Sequence, residues 1–159
     1  MSNENRFNEK LFSHRMSLKV RNYEVDWQGI VHNAVYLLYF ETGRVEYLKH
    51  IGASLDLNSV RGKSKVVLVR NEIDYLRPLS FDEEITVLTR ISSIKKSSFV
   101  MEGMLLHAAT GETASTNVAV HVWLDPARPV PTPVPDSFRK LVQAFEKDRC
   151  RIDWPSIDV

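Results

Sequence analysis

The chain has a single cysteine, Cys150, among its 159 residues. One thiol cannot close an internal disulfide, and no Cys/His group has zinc-ligand spacing, so no metal site is expected. Disulfide chemistry therefore does not set the compartment, and the reducing cytosol is the default. No apolar run approaches the length of a membrane span. The start, "MSNENRFNEK", is polar and lacks the apolar core of a secretory signal. Charge of either sign is not in excess: 21 basic and 20 acidic residues leave +1, with nothing in bulk electrostatics to attract nucleic acid. The five histidines, His14, His32, His50, His107 and His121, have no Ser or Cys partner at nucleophile-triad spacing and form no H-E-x-x-H. His107 and His121 fall in alternating strands and read as structural. No internal repeat occurs. These absences leave one soluble, cytoplasmic domain over residues 1–159, with 43% apolar and 26% charged residues, enough for a real core.

What is present has a clear order. Residues 1–12 read as a flexible arm, and a first strand is expected from His14 to Arg21. "NYEVDWQG" is irregular. From Asn33 the pattern turns helical, with Ala34, Leu38, Val45 and Leu48 on one face, Asn33 as N-cap and Gly52 as the stop. Tyr36, Leu37 and Phe40 widen the apolar surface, so the helix should be enclosed on several sides. A polar loop, "LDLNSVRGK", follows. Four long strands rich in β-branched and aromatic residues come next, separated by "RPLSFDE", "SSIKKSS" and "ATGET". The five prolines in "DPARPVPTPVPD" cannot continue a sheet and form a stiff tether. "DSFRKLVQAFEKD" then makes a short amphipathic helix capped by Asp136 or Ser137, so residues 126–159 are a tether and C-terminal helix with Cys150 in a tail beyond the fold. A single sheet cannot cover a helix on all sides. A second subunit is the simplest source of the missing cover.

Asp26 stands just before the long helix. A helix N-terminus offers free backbone N–H groups and the positive end of a dipole. A carboxylate beside it has the parts for attack on a carbonyl and for holding the charge that develops. Equally, Asp26 is suited to an Asx-turn. Glu41 falls within the apolar face, and Arg44, three residues on, can pair with it. Trp123 reads as sheet packing.

The ordered set Asp26, Gly29, Ile30, Val31, Asn33, Tyr36, then Phe40, Glu41 and Arg44, resembles the hot-dog acyl-CoA thioesterases of the 4-hydroxybenzoyl-CoA thioesterase type. "IDYLRPLSFDEEITV" and "KKSSF" support it, and the likeness spans roughly Ser13 to Asp125. The resemblance implies an α+β hot-dog fold, a curved antiparallel sheet wrapped around one long central helix. It also implies dimers or tetramers with active sites at subunit interfaces. Many short-chain relatives carry a His where this chain has Asn33, so the Asn33 backbone N–H, not its side chain, is the implied oxyanion donor.

On this reading Asp26 is the general base or nucleophile of acyl-CoA hydrolysis, with no metal or cofactor. Gly29 lets the backbone pass close to the ligand, His32 lines the pocket and Trp27 contacts the acyl group. Lys95 and Lys96, in a strand–strand turn, meet the phosphates of coenzyme A or are simply solvated. Two other readings stay open. One is a hot-dog dehydratase or hydratase, which needs a His–acid dyad that no pattern marks. The other is a non-catalytic acyl-CoA-binding protein.

Overall fold

Helix α1 runs from Asn33 to His50, the 18 residues that the periodicity predicts. Its end is a full C-terminal capping motif. Gly52 sits at φ +81, its N–H reaches Lys49 O at 3.1 Å, and Ala53 N–H reaches Leu48 O at 2.9 Å. The start differs from expectation. Asn33 is already helical, and His32 supplies the cap, its Nδ1 accepting the Ala34 N–H at 3.1 Å. The computed structural model describes residues 6–53 and 65–156. The loop read at 55–63 lies outside the described residues.

The strands are β1 (His14–Lys19), β2 (Lys65–Tyr75), β3 (Glu84–Ile94), β4 (Ser98–His107), β5 (Thr113–Leu124) and β6 (Arg151–Ile152). Helix α2 spans Asp136–Glu146. The sheet order is β1-β3-β4-β5-β2, with β6 added beside β3. β1 runs antiparallel to β3, from His14 opposite Thr89 to Lys19 opposite Glu84. This is the α+β hot-dog arrangement, a curved antiparallel sheet with one long helix and a short C-terminal one. The short β6 strand, parallel to β3, was not expected.

The described residues form two compact units, one of residues 6–47, 72–90 and 102–118, the other of residues 48–53, 65–71, 91–101 and 119–156. In the first, Tyr36, Tyr39 and Phe40 of α1 bury against Ile85, Val87, Leu105 and Ala114 of the sheet. Gly43 and Gly103 mark the closest approaches. A Cβ at Gly43 would lie 2.6 Å from Val87 Cγ1, and one at Gly103 would lie 2.7 Å from Phe40 Cδ1. Leu88, on the opposite sheet face from Val87, packs with Phe12, Met104 and Leu106. Residues 6–12, read as part of a flexible arm, carry a 3-10 turn at Glu9–Leu11 and bury Phe12, because this second apolar face needs a cover. Arg6 and Arg90 pair there with the buried Glu102.

The helix face is the main correction. Leu38 and Val45 are exposed, as is Ala34, while Tyr36, Tyr39, Phe40, Gly43, Arg44 and Tyr47 point inward. Glu41 is exposed, and Arg44 bonds Asn117 Oδ1 at 3.1 Å instead of Glu41. Glu41 acts on Arg44 only through its charge. Burial lowers the Arg44 pKa, and Glu41 opposes that shift.

In the second unit Arg139, 1% exposed, ties α2 down. Its guanidinium donates to Val134 O, Asp153 O, Lys95 O and Lys96 O at 2.6–3.2 Å. The α2 N-cap is Pro135 with no side-chain cap, in place of Asp136 or Ser137. Phe99 stacks on His121 and contacts Trp123 and Phe138, which makes Trp123 the packing residue expected. The tail returns to the sheet through β6, so Cys150 is buried instead of lying beyond the fold. No helix among the described residues is long and apolar enough to cross a membrane.

Candidate active site

The approach to α1 is a tight hairpin. Asp26 N–H reaches Ile30 O at 2.8 Å and Gly29 N–H reaches Asp26 O at 3.0 Å. Gly29 sits at φ +80, the left-handed position such a turn demands. No protein atom lies within 4 Å of where its Cβ would be, so among the described residues it is the turn's positive φ, and not a close protein contact, that calls for glycine at Gly29. The hairpin is pinned to the rest of the unit by an Ile30–Ser80 bridge and by Val31 N–H on Leu79 O at 2.8 Å.

Asp26 is half-buried and does two things at once. Its Oδ1 accepts the Gln28 N–H at 2.7 Å, the Asx-turn anticipated as the plain reading. Its Oδ2 has no hydrogen bond among the described residues. The turn thus orients the carboxylate without using it up.

Asn33 is singular among its neighbours. The N–H groups of Val31, His32, Ala34 and Val35 all have acceptors, at Leu79 O, Glu24 O, His32 Nδ1 and His32 O. Among the described residues, the Asn33 N–H has none. It stands at the positive end of the helix dipole, where a developing negative charge is favoured.

Asp26, His32 and Asn33 line one cleft of about 400 Å³, together with Ile30, Val31, Tyr36 and the run Tyr75–Pro78. Its chemistry is apolar walls around a few convergent polar groups. Tyr36 is buried, and that burial raises its pKa and keeps the phenol neutral. The Arg77 guanidinium is 3.5 Å from Glu112, with both side chains largely in solvent. Tyr75 donates its hydroxyl to Asn33 O at 3.0 Å.

Other expected residues fall elsewhere. Trp27 is 91% exposed and does not line the cleft. Lys95 and Lys96 are exposed in the β3–β4 turn and line no part of it. Tyr75 and Arg77 were missed as site residues. Their only signal was the Tyr-Leu-Arg-Pro run at a strand end, read as support for the fold. His107 pairs with Glu83 as a structural contact. Among the described residues, no group of three or more His, Cys, Asp or Glu could hold a metal ion.

The profile of the thioesterase-like superfamily matches residues 20–142. An Arabidopsis thaliana protein, acyl-acyl carrier protein thioesterase ATL3, is 31% identical over 136 residues, covering 85% of this chain and 70% of its own. The acyl-CoA thioester hydrolase YbgC of Escherichia coli is 27% identical, covering 78% and 91%. Among solved structures, a Thermus thermophilus thioesterase complexed with coenzyme A and Zn superposes with a TM-score of 0.73 at 34% identity, covering 85% and 95%. The chain belongs to the thioesterase-like superfamily, and it is a thioester hydrolase.

Proposed function

We propose that this chain, working as one domain over residues 1–159, hydrolyses an acyl-CoA to free acid and coenzyme A and is of the 4-hydroxybenzoyl-CoA thioesterase type. Asp26 serves as general base or nucleophile, and the Asn33 N–H holds the oxyanion. One observation carries this reading: Asp26 and Asn33, which have a carboxylate oxygen and a helix N-terminal N–H without partners among the described residues, line one cleft. As general base, Oδ2 would take a proton from water while the carbonyl oxygen gains charge beside the Asn33 N–H. As nucleophile, it would attack the carbonyl carbon, break the C–S bond with coenzyme A leaving as thiolate, and form a mixed anhydride that water then opens to the free acid and the regenerated Asp26 carboxylate. Neither route needs a metal or cofactor.

The reading includes a homodimer. β2 ends the sheet order with Leu68 and Val69 exposed, an edge suited to pairing with a second copy. Trp27, Lys95 and Lys96 lie outside the cleft of one copy. They would meet substrate bound across the interface, the lysines facing the coenzyme A phosphates. A tetramer would use the exposed Leu38–Val45 face of α1. The site of action is cytoplasmic, consistent with a chain whose single cysteine, Cys150, is a buried thiol.

A second substrate reading, an acyl-carrier-protein thioester, is favoured by the ATL3 relative and shares the pantetheine arm. The dehydratase reading is weakened because His32 Nδ1 is committed to the helix cap. Release of free thiol from a panel of acyl-CoAs tests the proposal. Asp26→Asn should reduce turnover about 10²–10⁴-fold, the usual contribution of a positioned proton acceptor. Binding without turnover by the wild type would instead favour a non-catalytic acyl-CoA carrier.

A further inference from the structure

We infer that Tyr75 is a positioning residue that latches the first turn of α1 and so fixes the Asn33 oxyanion donor. The inference rests on the hydrolytic reading of the cleft and adds a residue to it. The first turn of a helix lacks half its backbone bonds and frays unless something outside the helix holds it. An oxyanion donor must sit within about 0.5 Å of its productive place. Asn33 therefore needs an anchor that leaves its N–H free.

Tyr75 supplies that anchor from 42 residues away. Its hydroxyl donates to Asn33 O at 3.0 Å. Its ring stands edge-on to Tyr36 at 5.0 Å and 80°, which limits its swing. Its backbone is set by the next two residues, whose N–H groups both reach Ala114 O, at 2.9 and 3.1 Å. The latch thus runs from β5 through the end of β2 to the carbonyl of Asn33. It grips the carbonyl side of Asn33, a residue that lines the cleft and whose N–H has no partner among the described residues. The Tyr36 hydroxyl, 3.5 Å from Arg77 O, is too long to serve as an equivalent tie. Tyr75 is also 48% exposed and lines the cleft, so its ring is a wall for the acyl group while its hydroxyl holds the helix. These two functions separate by substitution.

Tyr75→Phe keeps the ring and removes the tie. It should lower kcat about tenfold with KM within about twofold, and speed amide hydrogen exchange over residues 34–37. Tyr75→Leu removes the wall as well and should in addition raise KM. A merely structural role would lower the thermal midpoint and the active fraction without this split between kcat and KM. Wild-type kcat in Tyr75→Phe, with Asp26→Asn still inactive, would overturn the latch and leave the hydrolytic reading standing. The exchange measurement needs no substrate. Unchanged exchange over 34–37 in Tyr75→Phe overturns the latch even if the wild type turns over no thioester.

Discussion

Asp26 lines the cleft and holds its hairpin with one carboxylate oxygen, while the other has no hydrogen bond among the described residues. The Asx-turn uses one oxygen only, so the turn reading and the proposed reactive role are compatible in one side chain, and the sequence had no means to choose between them. Tyr75 was out of reach for a different reason. Its tie to Asn33 joins positions 42 apart, and only folding brings them together. Two neighbouring tyrosines carry a prediction. Burial raises the pKa of Tyr39 far above the ordinary phenol value of 10.0, with the Glu24 carboxylate adding to it, and burial raises Tyr36 also. A phenol raised in the folded state loses its proton first in the unfolded chain. Its contribution to stability is complete below about pH 10 and declines as pH rises past it. Urea unfolding at about pH 9, 10 and 11 should show stability falling by about 1–2 kcal/mol per pH unit in the upper part of that range. Tyr39→Phe should flatten that slope, and an unaltered slope would count against the assignment.

Helix α1 shows how far periodicity reaches. Its span and its Gly52 stop were legible because caps and length are local properties. Its buried face was not. The helix is apolar on both sides, so Ala34–Leu38–Val45 and Tyr36–Tyr39–Phe40–Gly43 each make a credible inner stripe. Packing decides between them. Gly43 is inside because the helix meets β3 there with no room for a methyl group. Gly43→Ala gains about 1 kcal/mol of helix propensity. It also forces a Cβ to 2.6 Å from Val87 Cγ1 and 2.7 Å from Thr89 Oγ1, both on stiff β-branched side chains. Overpacking of that kind costs about 1–3 kcal/mol. The variant should unfold at lower denaturant with native helix content, and a gain in stability would refute the contact. Arg44 follows the same lesson. Sequence spacing pointed to Glu41, but the inward face delivers it to Asn117.

At the scale of the molecule, the five main strands along the chain, the hot-dog class and the family were legible from the alternating strands and the ordered motif, while the order of the strands in the sheet was not. The return of the tail through β6 was not, because a two-residue strand has no periodicity to read. The long β2 edge is the feature a lone chain leaves unresolved in function. Lys is a strong block to edge pairing. Val69→Lys should therefore convert a dimer into a monomer by light scattering and abolish turnover with it, since residues outside the cleft would lose their place at the substrate. A dimeric, active Val69→Lys protein would move the interface elsewhere.

The most direct test is turnover of acyl-CoA thioesters by Asp26→Asn beside the wild type, with mass measured on both. The account predicts thiol release by the wild type, a loss of at least about 100-fold in the variant, and one assembly state for the two. Turnover in the variant equal to that of the wild type would contradict it.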